Sequence, residues 1–331
     1  MSTESESEYE SEYGSTAAAS DVAARAGSDG PPAHLLLTVT MVLWGCAFAS
    51  SKVVVGQVPH SVAAFLRFGG GALALLVALR LSGDRRTRPG WRERGRAALA
   101  GVLGVFLYNI CFFWGLSLAP AMDGSLIIPV LSPVLTSAVV LLTGRETASA
   151  GRVAGLALGL AGAAVFFLGA GGAGGAAGGG SGRLAGDLLF LAAAACWAAF
   201  TLLGPRVLAG IEPLRATTYA TVSGALLLGV YSAPDWAGTH WSATGPGTWL
   251  NVVLLALGPA ALANLLYYRG VKAVGPASAS LMMFLVPAVG TLCAAVFLGE
   301  SFTGTQSAGA GILVAGAALA AARGRRATAR T

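Results

Sequence analysis

Ten apolar runs of about 20 residues set the terms on which this chain can fold. They lie near residues 35–55, 61–80, 97–117, 122–143, 152–169, 184–203, 213–232, 249–268, 277–298 and 306–323. At a rise of ~1.5 Å per residue, each matches the roughly 30 Å of hydrocarbon in a bilayer. Of the 331 residues, 55% are hydrophobic and only 11% charged, more apolar surface than one soluble core could hide. The runs are continuously apolar, whereas barrel strands would be segments of about 10 residues with alternating polarity. An all-α integral membrane protein is expected, with the lipid bilayer as its first partner.

Basic residues set the expected threading, because Lys and Arg collect in short cytoplasmic loops. The second connection carries Arg80, Arg85, Arg86, Arg88, Arg92, Arg94 and Arg96, and every second connection after it is also basic. Eighteen of the 21 basic residues fall on that face, Lys52, Arg67 and Arg183 being the exceptions. The expectation is a multi-pass protein of the inner or plasma membrane with both termini cytoplasmic. Topology and lipid headgroups account for the net charge of +6 without nucleic acid.

The chain repeats itself. Residues 133–164 laid on 287–318 share eight identities in 32 positions, among them Pro133 with Pro287 and Glu146 with Glu300. At a shift of 153, Trp44 meets Trp197, and the triplet GAL at 71–73 meets GAL at 224–226. Five spans per copy is an odd number, so the second copy enters the membrane from the opposite side. The fold class is therefore ten transmembrane helices as two inverted five-helix repeats, an arrangement typical of carriers. The expected divisions are an acidic disordered tail over 1–33, a first repeat over 34–169, a Gly-rich linker over 170–183, a second repeat over 184–323 and a basic cytoplasmic tail over 324–331. The tail holds seven of the 15 acidic residues, and its acidic start is unlike a signal peptide. The linker GAGGAGGAAGGGSG has neither the preceding strand nor the Gly-Lys-Ser/Thr ending of a phosphate loop.

Intramembrane polar groups nominate a site. A charge within a span is costly, by about 2.5–3.5 kcal/mol on insertion scales, so Arg67 should face a cavity or a partner, such as a carboxylate or phosphate on a substrate. Lys52, nearer the boundary, is expected to snorkel. Trp44, Tyr108, Asn109 and Trp197 lie near the middles of their spans, away from the interfaces where Trp and Tyr gather. With Tyr219, Asn264 and Tyr267 they complete the binding candidates. Pro133 and Pro287, near their spans' midpoints, and Gly258 with Pro259, in span eight, are kink or gating candidates. Glu146 and Glu300 are read as acidic groups near the following helix N-termini, a placement worth about 0.3–1 kcal/mol. Cys46, Cys111, Cys196 and Cys293 are single, and His34, His60 and His240 are scattered, so no catalytic residue, metal or cofactor is expected.

With LWGCAFASSK in the first span, Arg67 in the second, and a mid-span proline with terminal glutamate in spans four and nine, the chain resembles the EamA-type drug/metabolite transporter superfamily over about residues 35–323. That resemblance implies a secondary carrier of small metabolites, with many bacterial members exporting amino acids or related compounds. It also implies kinship in fold with nucleotide-sugar and phosphate-ester antiporters. A non-transporting membrane sensor or scaffold is the reading from another class. A coupling proton and a homodimer are candidate partners.

Overall fold

Hydrocarbon offers no hydrogen bonds to the backbone, so a chain this apolar closes its amides within helices. The computed structural model describes residues 33–82, 90–143, 150–172, 180–208, 210–274 and 282–328. Nearly all of the acidic tail, residues 173–179 of the glycine linker, and Glu146 as well, lie outside the described residues.

The first repeat is built from α1 (Ala33–Val55), α2 (His60–Leu81), α3 (Trp91–Gly101), α4 (Tyr108–Leu118), α5 (Ala121–Leu142) and α6 (Ala150–Gly172). A π-helical segment, Val102–Leu107, joins α3 to α4, making one span of Trp91–Leu118. The second repeat is built from α7 (Gly180–Val207), α8 (Pro213–Trp236), α9 (Pro246–Leu255), α10 (Ala263–Val274), α11 (Leu285–Leu298) and α12 (Gly304–Thr328). Here too a π-helical segment, Ala256–Leu262, interrupts the third span. Among the described residues, six helices or joined helices are long and apolar enough to cross a bilayer, and Val153–Gly169 and Leu285–Leu298 are shorter apolar helices. Helix α12 runs on to Thr328, into the stretch expected as a tail from 324.

Packing follows the duplication. Helix α1 lies against α11 and α10, and its counterpart α7 lies against α5 and α4. The pairs α2 with α8, α5 with α11 and α6 with α12 each join equivalent spans of the two repeats. The GAL triplets work at such contacts. A Cβ on Gly71 would come within 2.8 Å of the Ala260 Cβ, and one on Gly224 within 2.5 Å of the Val105 Cβ. Each triplet thus seats a π-helical segment of the other repeat against its own second span.

Helices α6 and α12 also touch along their backbones: a Cβ on Gly162 would meet the Leu313 amide nitrogen at 2.3 Å and one on Gly316 the Gly159 nitrogen at 2.3 Å. Small residues here let two backbones touch, which in lipid replaces the missing hydrophobic drive. Cys46 on α1 and Cys293 on α11, 247 residues apart, bring their sulfurs within 3.4 Å.

The prolines part company. Helix α5 continues through both Pro129 and Pro133. Pro287 instead sits in the first turn of α11, after a turn at Met283 and Phe284, so it is not the midpoint of an unbroken span. There its missing N–H costs nothing, and the Met283 carbonyl is taken by the Val286 N–H at 3.0 Å.

Replacing Gly316 by Leu should cost about 1–3 kcal/mol of folding stability through overpacking. Gly311→Leu, on the same helix but with nothing within 4 Å of its Cβ position, should leave the melting of the detergent-purified protein unchanged.

Candidate functional site

Trp44 and Trp197 occupy equivalent places in the two repeats, and their rings meet edge to face at 5.9 Å. The backbones of α1 and α7 are not closely packed on each other, so these side chains bridge a gap along the pseudo-two-fold axis. Tyr267 tilts against Trp44 at 5.1 Å and Tyr108 against Trp197 at 5.5 Å. Tyr108 also stacks on Phe112 at 5.8 Å, and Phe48 closes on Phe112 at 5.3 Å. All four candidate aromatic residues are half-buried, while Phe48, Phe112 and Phe113 beyond them are buried.

Arg67 projects from α2 into the same cluster and is 7% exposed. Its guanidinium carbon lies 5.1, 5.4 and 5.9 Å from the ring centres of Phe68, Phe112 and Phe113. Cation–π attraction supplies up to about 2 kcal/mol for a desolvated cation. Its Nε has no hydrogen-bond partner, and no carboxylate pairs with it among the described residues. This is a cation held in an aromatic cage with its donors free, not one reaching for headgroups.

The two asparagines serve the π-helical segments. Asn109 Nδ2 donates to the Val105 carbonyl at 2.6 Å, and Asn264 Nδ2 donates to the Ala260 and Pro259 carbonyls at 2.9 and 3.4 Å. Gly258 and Pro259, nominated as a break, lie inside the second segment. The buried Asn109 Oδ1 is left without a partner and remains available to a donor. Tyr219, half-buried on α8, makes no ring contact with the cluster among the described residues.

One end of the bundle is sealed by charge. Asp123, in the first turn of α5, accepts both prongs of Arg183 from α7, at 2.8 and 2.9 Å. Gln306 of α12 donates to the same carboxylate at 3.4 Å. Lys52, expected to snorkel, turns inward and donates to the Leu116 and Ala119 carbonyls that end α4. Gly299, left-handed at φ 67°, ends α11 and directs Glu300 back across the bundle. The Glu300 carboxylate accepts the Ala121 and Met122 N–H groups at 2.9 and 2.7 Å, so it caps α5 of the other repeat and not the helix that follows it. Beside these, Asp187 is fully buried against Asp123. At the same end, between α2 and α8, His60 Nε2 meets the Tyr231 hydroxyl at 3.1 Å and stacks on Trp114, while the Ser61 hydroxyl donates to Asp235.

The EamA-like transporter family matches residues 31–168 and again 184–322. This chain belongs to that family. Among its relatives, a probable terminal-alkyne amino-acid exporter of Streptantibioticus cattleyicolor is 30% identical over 301 residues, 89% of this chain and 96% of the relative. The aromatic amino acid exporter YddG of Ancylobacter novellus is 28% identical over 306 residues, 89% of this chain and 98% of the relative. An uncharacterized transporter of Bacillus subtilis, YyaM, is 26% identical over 283 residues, 86% and 91% of the two chains. A crystal structure with 26% identity superposes with a TM-score of 0.62 over 89% of this chain and 97% of that one.

Sequence reasoning grouped Trp44, Tyr108, Asn109 and Trp197 of this EamA transporter at mid-depth; the structure adds Tyr267 and Arg67 to that cluster, and Asp123 and Asp187 were missed. A signal for them existed: single acids near the starts of two long apolar runs, with Arg183 four residues before Asp187. The transporter also has an open groove of about 450 Å³ lined by Phe65, Gly229, Ala233 and Trp236, away from the aromatic centre. Glu300→Ala removes two charge-assisted bonds and should lower stability by about 2 kcal/mol, read from thermal unfolding in detergent. Glu300→Gln, which keeps an acceptor, should lose less.

Proposed function

We propose that the chain is a secondary carrier of the plasma membrane that exports amino acids or related small metabolites by alternating access between its inverted repeats. The observation that carries the reading is the Arg67 guanidinium, buried among Phe68, Phe112 and Phe113 with no ion pair. Burial of a cation without a counter-ion is expensive, and a substrate carboxylate arriving at this depth removes the expense with a two-pronged bond. A single guanidinium suits one carboxylate better than a phosphate ester of higher charge. The four rings around the axis offer an apolar, stacking surface to the rest of the substrate, and two relatives are named as amino-acid exporters.

Trp44 and Trp197 touch in this state, so entry of a ligand parts them. Rocking one repeat against the other does so, because the two rings belong to different repeats. With the basic loops read as cytoplasmic, both termini lie inside and the charge-sealed end faces outside. The residues of the site bind and release, with no reaction step.

Comparing extracellular metabolites from cells with and without overexpression identifies the substrate. In proteoliposomes, Arg67→Ala should weaken apparent affinity for that substrate by ten- to a hundredfold, the equivalent of about 1.5–3 kcal/mol for a bond to a charged group. Unchanged kinetics in a normally inserted Arg67→Ala protein would remove the carboxylate role. Trp44→Ala and Trp197→Ala should each shift selectivity towards bulkier substrates.

A further inference from the structure

We propose that Asp187 carries a proton at the seam between the two repeats, and that the sealed end of the bundle opens only as this proton leaves. The consequence rests on the carrier reading; the protonation does not.

Apart from His60 and Asp235 between α2 and α8, five charged side chains and one amide cluster at this end, and all but one of these charges are spoken for. Arg183 gives its fork to Asp123, with Gln306 as a further donor. Lys52 is committed to the carbonyl end of α4, and Glu300 to the amide end of α5. No titratable side chain occurs at this end of α4 or α6, the other helices packed on α7 here. Asp187 is 0% exposed, and neither of its oxygens finds a donor among the described residues. Its neighbour is the Asp123 carboxyl. Two ionised carboxylates are acceptors only, so this contact becomes a hydrogen bond only when one of them carries a proton. Charge counting agrees, because Asp123 and Arg183 cancel and an ionised Asp187 would be a lone buried anion, a species that neutralises instead. A metal ion would need several free oxygens around one point, and those of Asp123 are already engaged.

The place of the pair makes the proton consequential. Asp123 stands on α5 in the first repeat, whereas Asp187 and Gln306 stand on α7 and α12 in the second. Movement of one repeat against the other separates them and admits water. The hydrated carboxylic acid then ionises, its O–H electron pair staying on the carboxylate and its proton passing to water at that face. Reclosing takes one proton back.

Infrared spectroscopy of the purified full chain tests the chemistry without any substrate. At neutral pH the wild type should show a carboxylic-acid C=O band that shifts in D₂O, and Asp187→Asn, which mimics the protonated acid in shape, should lack it. Asp123→Asn should lack it too, because Arg183 is freed to hold Asp187 ionised. Identical spectra for wild type and Asp187→Asn would overturn the proposal, as would a band lost only in Asp123→Asn, which puts the proton on the other acid. A band that appears only when sodium is withdrawn would make the ligand a metal ion and overturn it as well. The consequence has its own readout: about pH 6 and about pH 8 both lie above an exposed aspartate's ordinary value, so the opened acid gives up its proton at each and does so more readily at the higher pH; flux should therefore differ between them in the wild type and be flat in Asp187→Asn. Wild type and variant sharing one pH profile would leave the proton without a role in opening and defeat the latch.

Discussion

The bilayer's refusal to solvate a peptide group governs the architecture from one end to the other. Each unsatisfied amide or carbonyl in hydrocarbon costs several kcal/mol, so every departure from a regular helix needs a local partner. The two π-helical segments illustrate this. Each widens the third span of its repeat and leaves carbonyls poorly matched to the ladder, and each has an asparagine four residues on whose amide takes one up, Asn109 on Val105 and Asn264 on Ala260. The same accounting places Lys52 on the carbonyl end of α4 and Glu300 on the amide end of α5, where the helix dipoles favour those charges. Polar side chains in these spans first serve the backbone.

Duplication under that constraint produces pairs of equivalent contacts, and the site forms where the pairs converge. Trp44 and Trp197 can meet only because an axis relates their helices. Gly71 and Gly224 then bring each π-helical segment close enough to the second span for the third spans to frame the same centre. Symmetry stops at the charged end. Lys52, Asp123, Arg183 and Asp187 have no charged counterparts at the equivalent positions of the other repeat, so the two ends of the bundle are sealed by different chemistry.

Elements with a periodic or compositional cause were readable in the sequence. Span length, the five-plus-five inversion and the central depth of Trp44, Tyr108 and Trp197 follow from counting residues, and in the structure those rings touch. Interactions that depend on tertiary approach were not readable. Lys52 reads as a snorkelling residue until Leu116 and Ala119, more than 60 positions away, present their carbonyls to it. Glu300 reads as a group serving the helix it precedes, and the left-handed turn at Gly299 sends it elsewhere. Pro287 reads as a midpoint because the length of an apolar run does not disclose a helix break at Met283. Of the three basic residues that break the loop pattern, two turn out to be partnered inside the bundle and the third, Arg67, lies in an aromatic cage.

Arg67 and Asp187 together suggest how a molecule with so few charges can do directed work. Both are buried groups whose charged forms the surrounding protein leaves uncompensated, one a cation near the axis and the other an acid at a seam. A fully neutralised interior would have one deep minimum and no reason to leave it. Here the cation favours any state in which an anion reaches it, and the acid favours the closed end only while protonated. The energy that the fold withholds from these two groups is the energy a substrate and a proton can supply, and a ligand shifts a conformational equilibrium only by its difference in affinity between the states. Completing either group with a built-in counter-ion would steady the bundle and remove the means by which binding on one side is felt at the other.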